Sequence, residues 1–192
     1  LYEAGGNVML DLIIYLSSHH LKDLFGTSWF SVEDFCHKMG YNRTNLQRKL
    51  TEEQLTAMFG SRTPPKYVVA GTAGKSVTHP IETVFEAAIY KLGLENLYYP
   101  VAGEDGRTSY NFVQILKRFD IVSDFETKKS TKRLYSAVIS PEIKDFMFSL
   151  YNLLELQDYR NLPSRYRYFY LELSKMIYLI KYKVKNNETP FY

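Results

Sequence analysis

With 192 residues, 45% of them hydrophobic and 16% aromatic, the chain can bury a substantial core and is too apolar for a disordered segment. No apolar run approaches the roughly 20 residues of a membrane-spanning helix, a single cysteine, Cys36, excludes an internal disulfide framework, and no signal-peptide pattern is present, so the cytoplasm is the expected compartment. A formal charge of +3 is only mildly basic, and any polyanion partner has to be argued from where the cations sit.

In chain order, NVMLDLIIYL at 7–16 sets Met9, Leu12, Ile13 and Leu16 on one helical stripe. The polar, glycine-containing connection SHHLKDLFGTSWF follows. Ser31, with Asp34 three residues on, predicts a capped start for a short helix that buries Val32, Phe35 and Met39. Gly40 suits the left-handed residue that ends a helix, and Asn42 suits the cap of a third helix buried through Leu46 and Leu50. The opening therefore reads helix, tight turn, helix. From 51 to 78, Gly, Pro and small residues predict an insertion or mobile loop. Thr78 and Pro80 then predict a helix start, with Ile81, Val84, Phe85, Ala88 and Ile89 on its buried face and Gly93 as its stop.

Strand-like runs come next: NLYYPV, TSYNFVQIL, FDIVSDFET and RLYSAVIS, with AGEDGR and KKSTK at the turns. Ser140-Pro141-Glu142 predicts a helix start, and Ile143, Phe146, Met147, Leu150 and Leu154 its buried stripe. A last helix from about Pro163 aligns Tyr166, Phe169, Tyr170, Leu173, Ile177 and Ile180, a face expected to pack. No repeat is visible. The expectation is an α+β fold, a single domain over 1–192: a winged helix-turn-helix with antiparallel β-hairpins and two C-terminal helices.

If Leu46 and Leu50 face inward, the third helix presents Thr44, Asn45 and Arg48, with parts of Gln47 and Lys49. Arginine can fork onto guanine and asparagine or glutamine can pair with adenine, while Arg43 and Lys49 suit phosphates. The hairpin tip KKSTKR carries Lys128, Lys129, Lys132 and Arg133, four cations in six residues, placed as a wing would be to neutralise phosphates. A solvated helix face and a solubilising loop are the plainer readings of the same residues. Arg165 and Arg167, beside the aromatic face of the last helix, form a secondary candidate for phosphate contact.

Motifs for catalysis or cofactors do not assemble. GTAGKS at 71–76 ends like a P-loop, but Val69 stands where the first glycine belongs. His19, His20, Cys36 and His37 lack the paired spacing of a zinc site. Tyr166 and Tyr170 stand four apart like the nucleophiles of a nicking enzyme, without a His-x-His to hold its metal. Glu52, Glu53, Asp105 and Glu142 have no second group to form an acid–base pair. The expectation is a non-enzyme with no cofactor and no metal.

From FDIVSDFET through AVISPEI to LPSRYRYFYLEL the chain resembles the first winged-helix domain of plasmid replication initiators of the Rep_3 type. Ser164, Arg165, Tyr166 and Leu171 to Leu173 carry most of the likeness in the last run. Upstream, FSVEDFCHKMGYNRTNLQRKL is similar to the family's helix-turn-helix, and ETVFEAAIYKLGLENLYYPV to its following helix and strand. The resemblance implies a domain that binds origin duplex DNA, forms a homodimer through its central strands, and is followed by a second winged helix after Tyr192, with host replication proteins as further partners. It makes Arg43, Arg48, Lys128, Lys129, Lys132 and Arg133 backbone contacts and Asn45 or Gln47 base readers. A winged-helix transcriptional regulator without a replication role is the alternative.

Overall fold

Capping side chains and apolar spacing account for most elements of the computed structural model, which describes residues 6–20, 27–70, 76–102, 106–127, 130–142 and 156–185. The chain divides into two units, Leu1–Asp145 and Phe146–Tyr192.

In the first unit, α1 (Gly6–His20) buries Val8, Met9, Leu12, Tyr15 and Leu16. A short strand, β1 (Ser28–Phe30), lies inside the stretch expected to be only a connection, and it pairs antiparallel with a later strand, Phe30 opposite Tyr135. α2 (Val32–Met39) starts as expected. The Ser31 hydroxyl accepts from the Asp34 N–H at 3.1 Å, and the Asp34 carboxylate accepts from the Ser31 N–H at 2.9 Å. Gly40 ends the helix at φ 71°, and Asn42 caps α3 (Arg43–Gln47) by accepting from the Thr44 N–H at 2.8 Å.

Within the expected loop at 51–78, residues 51–70 and 76–78 are structured. Thr51 and Gln54 make a second reciprocal capping box that starts α4 (Glu52–Phe59), which Gly60 closes at φ 69°. An antiparallel hairpin follows, β2 (Lys66–Ala70) with β3 (Ser76–Pro80). The Tyr67 hydroxyl donates to the Phe119 carbonyl at 2.8 Å, anchoring that hairpin. Thr78 and Pro80 therefore belong to a strand. The helix predicted from them, α5 (Val84–Leu94), starts instead where the Thr83 hydroxyl accepts the Glu86 N–H at 3.2 Å, because the 78–80 backbone is committed to the ladder. α5 buries Phe85, Ala87, Ala88, Ile89 and Leu92, and runs through Gly93 to Leu94.

The two expected hairpins are present: β4 (Asn96–Ala102) with β5 (Thr108–Gln114), and β6 (Leu116–Thr127) with β7 (Ser130–Ile139). β1 adds to the second, giving a three-stranded sheet in the order β1-β7-β6. The other two hairpins stay two-stranded, so the described sheets are all antiparallel and the class is α+β.

Aromatic rings connect the layers. Tyr15 of α1 meets Phe30 at 5.5 Å and Phe35 at 5.3 Å; Phe35 meets Phe85 at 5.3 Å; Phe85 meets Tyr135 at 5.2 Å. Each such pair adds about 0.5–1.5 kcal/mol beyond area burial. The chain of rings fixes α1, α2 and α5 against the sheet.

Pro141 and Glu142 are helical as predicted, and the rest of that expected helix lies outside the described residues. In the second unit, α6 (Leu156–Asn161) precedes α7 (Ser164–Lys185). The face of α7 expected to pack is instead exposed, with Phe169 63% and Ile177 52% accessible. Helical period fixes which residues share a face, not whether anything covers it. No described helix is long and apolar enough to cross a membrane.

Candidate nucleic-acid interface

α3 is only five residues long, shorter than the sequence suggests. It buries Leu46 and leaves Arg43, Thr44, Asn45 and Gln47 exposed. Arg48 turns extended at ψ 136° and leaves the helix. Its carbonyl accepts the Val84 N–H at 3.1 Å, the Leu50 N–H donates to the Glu82 carbonyl at 2.8 Å, and Lys49 bridges Thr83. Leu50 is thus half-buried beside the start of α5 and is no second buried position of α3. The backbone after Gln47 is used up by α5, which is why the helix stops there.

Several of the expected DNA contacts carry counter-ions. The Arg43 Nη1 lies 2.7 Å from Glu33 Oε1, and its Nε donates to Gln47 Oε1 at 2.8 Å. Lys49 Nζ lies 2.6 Å from Glu82 Oε2, and this bond from Lys49 holds the Glu82 carboxyl below the usual glutamate range. Arg133 Nη1 lies 2.5 Å from Glu86 Oε1. Surface pairs of the first two kinds contribute about 0–1 kcal/mol each and exchange readily for other anions. Among the described residues Arg48 has no ion-pair partner, and it is exposed.

Unlike Glu33 and Glu82, Glu86 is buried, only 1% exposed. Its Oε1 receives Arg133, the Tyr135 hydroxyl at 3.2 Å and His79 Nε2 at 3.2 Å, while Oε2 has no hydrogen-bond partner among the described residues. Burial first, and the Glu86 charge second, push the Tyr135 phenol far above its ordinary range, so it stays a neutral donor. A charge-bearing oxygen under three donors ties the first half of β7, and β3, to α5.

These groups surround one cleft of about 410 Å³, lined by Glu33, Arg43 and Gln47 on one side and Thr83, Glu86, Arg133 and Tyr135 on the other. Three of the residues singled out in the sequence, Arg43, Gln47 and Arg133, thus meet there. No family model, no curated protein and no solved structure matches the chain.

The remaining candidates lie apart from the cleft lining or outside the described residues. Thr44 and Asn45 are exposed on α3. Lys128 and Lys129 are outside the described residues; Lys132 lies in β7, opposite Phe125, with its side chain outside them. Arg165 is exposed and stacks over the Tyr166 ring at 4.7 Å. Arg167, the other secondary candidate, is buried where Arg165 is exposed. It is 3% exposed, donates to the Leu162 carbonyl at 3.2 Å and the Arg160 carbonyl at 3.1 Å, and lies 5.3 Å from the Tyr159 ring centroid. These donors satisfy carbonyls at the end of α6. Cys36 is buried, and burial raises its thiol to about 11, while His37 beside it is exposed. Among the described residues no cluster of three or more His, Cys, Asp or Glu could hold a metal ion.

Sequence reasoning missed the partner carboxylates Glu33, Glu82 and Glu86. Thr83 three residues before Glu86 is a legible cap signal. That the glutamate turns to Arg133, 47 residues away, is not legible.

Proposed function

We propose that the first unit is a winged-helix domain that docks on duplex DNA, with α3 as its recognition helix and the β6–β7 hairpin as its wing, in a replication initiator of the Rep_3 type. The observation that carries the reading is the cleft at which Arg43 and Gln47 of α3 stand across from Arg133 of β7. The order of elements agrees with it: β1 enters the sheet just before the helix-turn-helix, and the sheet closes with the long hairpin. Arg43 and Arg48, with Lys128, Lys129, Lys132 and Arg133 of the wing, supply phosphate contacts. Asn45 is the base reader best placed, because Gln47 is held by Arg43. The protein binds without catalysing a reaction, needs no cofactor, and works in the cytoplasm.

Homodimer formation through the β4–β5 hairpin belongs to the same reading. That hairpin is a separate two-stranded sheet, and Tyr98, Tyr110 and Phe112 are each more than 60% exposed on it. A lone hairpin is marginal in water, and unpaired strand edges invite a second copy.

The test is a duplex titration at several salt concentrations. Binding is expected to weaken linearly in log–log form, with Arg48→Ala and the paired change Lys128→Ala, Lys129→Ala each lowering the slope, by about one unit for each phosphate no longer neutralised. Binding that ignores both salt and these changes would remove the reading.

A further inference from the structure

Glu86 serves two cations through one oxygen. His79 Nε2, from β3, and Arg133 Nη1, from β7, both reach Oε1, at 3.2 and 2.5 Å, while Oε2 is buried and unpartnered among the described residues. An ionised carboxylate only accepts hydrogen bonds, so His79 carries its hydrogen on Nε2 and a further proton is taken up from solvent at Nδ1. That proton turns a neutral donor into a second cation beside Arg133, sharing its counter-ion. The His79 side chain is 17% exposed and Arg133 is 43% exposed, so the arginine has water to move into and the carboxylate has none.

We propose that Glu86 is an exchangeable latch: protonation of His79 takes over the carboxylate and releases the Arg133 guanidinium from Glu86 to pair with an external anion. The part of this that concerns anions rests on the nucleic-acid reading above; the release of Arg133 does not. The direction follows from the charges. With His79 neutral, Arg133 is the only full positive charge on Glu86 among the described residues. With His79 charged, attraction to Glu86 is divided and the two cations repel. Among the described residues, the other charged or titratable groups around the latch are Tyr135 on β7, which remains a neutral donor; Tyr67 on β2, opposite His79 in the hairpin, whose phenol is pushed up by burial and by Asp120; Glu82, near enough to feel both His79 and Arg133; and Glu33 with Arg43 across the cleft, already paired. None of them reverses the sign. Histidine as a residue type is the side chain that changes charge within the physiological pH range, which makes pH the variable to test.

The experiment follows the side-chain Nε–H signal of Arg133 in the whole chain by NMR from pH 8 to 6, without nucleic acid, in the unchanged protein and in His79→Gln. The signal is expected to shift with the His79 titration in the first and to stay put in the second. An Arg133 signal that is constant while His79 titrates, or that moves equally in His79→Gln, overturns the latch. In parallel, a fluorescein-labelled mixed-sequence duplex is titrated at both pH values. Affinity should rise about three- to tenfold on going to pH 6, and less than twofold in His79→Gln. Arg133→Lys separates release from simple addition of charge. If His79 acts only as one more cation, Arg133→Lys keeps the full pH response and the latch fails; if release of the fork is what matters, the response shrinks. Absence of duplex binding at both pH values, with the Arg133 signal still following His79, would leave the latch standing and remove the nucleic-acid reading.

Discussion

Phe35 of α2 lies against Phe85 of α5, ring centroids 5.3 Å apart, and both side chains are fully buried. This contact joins the helix-turn-helix to the helix that supplies Glu86. Phe35→Ala leaves a cavity next to Tyr15, Tyr41 and Phe85. It is expected to lower stability by about 3–5 kcal/mol in urea or thermal unfolding. A loss under about 1 kcal/mol would mean that the ring chain does not hold these layers together.

Arg43 is shared between Glu33 and Gln47. Glu33→Gln frees it for phosphate and removes a negative charge from the cleft. Duplex affinity at low salt is expected to rise about two- to fivefold, with the gain vanishing at high salt. Fluorescence anisotropy checks this, and unchanged affinity would show that Arg43 does not reach the DNA.

Gly60 closes α4 at φ 69° with nothing within 4 Å of where a Cβ would stand. Gly60→Ala therefore meets no clash and isolates backbone strain, expected to cost about 1 kcal/mol by equilibrium unfolding. No measurable loss would mean that this end of α4 is not held in the left-handed conformation.

Much of this first unit is legible from local chemistry. The Ser31–Asp34 box, Gly40 and Asn42 each signal one turn of backbone, and each sits where its residue type predicts. Thr51 and Gln54 carry the same signal, yet the Gly and Pro residues downstream obscure it, so α4 reads as loop. β1 escapes notice because three residues have no readable period, and the strand exists only through its pairing with β7. The site is legible in part. Positive charge on α3 and in β7 can be read one residue at a time, whereas Glu33, Glu82 and Glu86 become counter-ions only through tertiary contact. The α7 stripe is legible as a face but not as an exposed one, since sequence period carries no information about a partner.

Lys49 depresses the Glu82 carboxyl through a 2.6 Å contact. A lowered folded-state value stabilises the fold above the ordinary glutamate value of 4.5 and loses that contribution as pH falls through the folded value. Lys49→Met is expected to bring the Glu82 midpoint up toward 4.5 in a carbon-13 NMR titration. The pair is solvent-accessible, so the effect on overall stability should be small. An unmoved midpoint would show that Lys49 is not the cause.

Tyr98 and Phe112 face each other across β4 and β5, centroids 4.3 Å apart. The pair Tyr98→Ser with Phe112→Ser is expected to weaken self-association at least about tenfold in sedimentation velocity, without unfolding the first unit. Self-association unaffected by the pair, or none in the unchanged protein, would remove the dimer proposed through this hairpin.

The most direct measurement maps amide shifts on the nitrogen-15-labelled chain as a mixed-sequence duplex is added. Residues 43–48 of α3 and its exit, and the first half of β7 around Arg133, are expected to shift together at one common affinity. Shifts confined to one of these two segments, or centred instead on α7, would contradict a shared nucleic-acid face formed across the cleft.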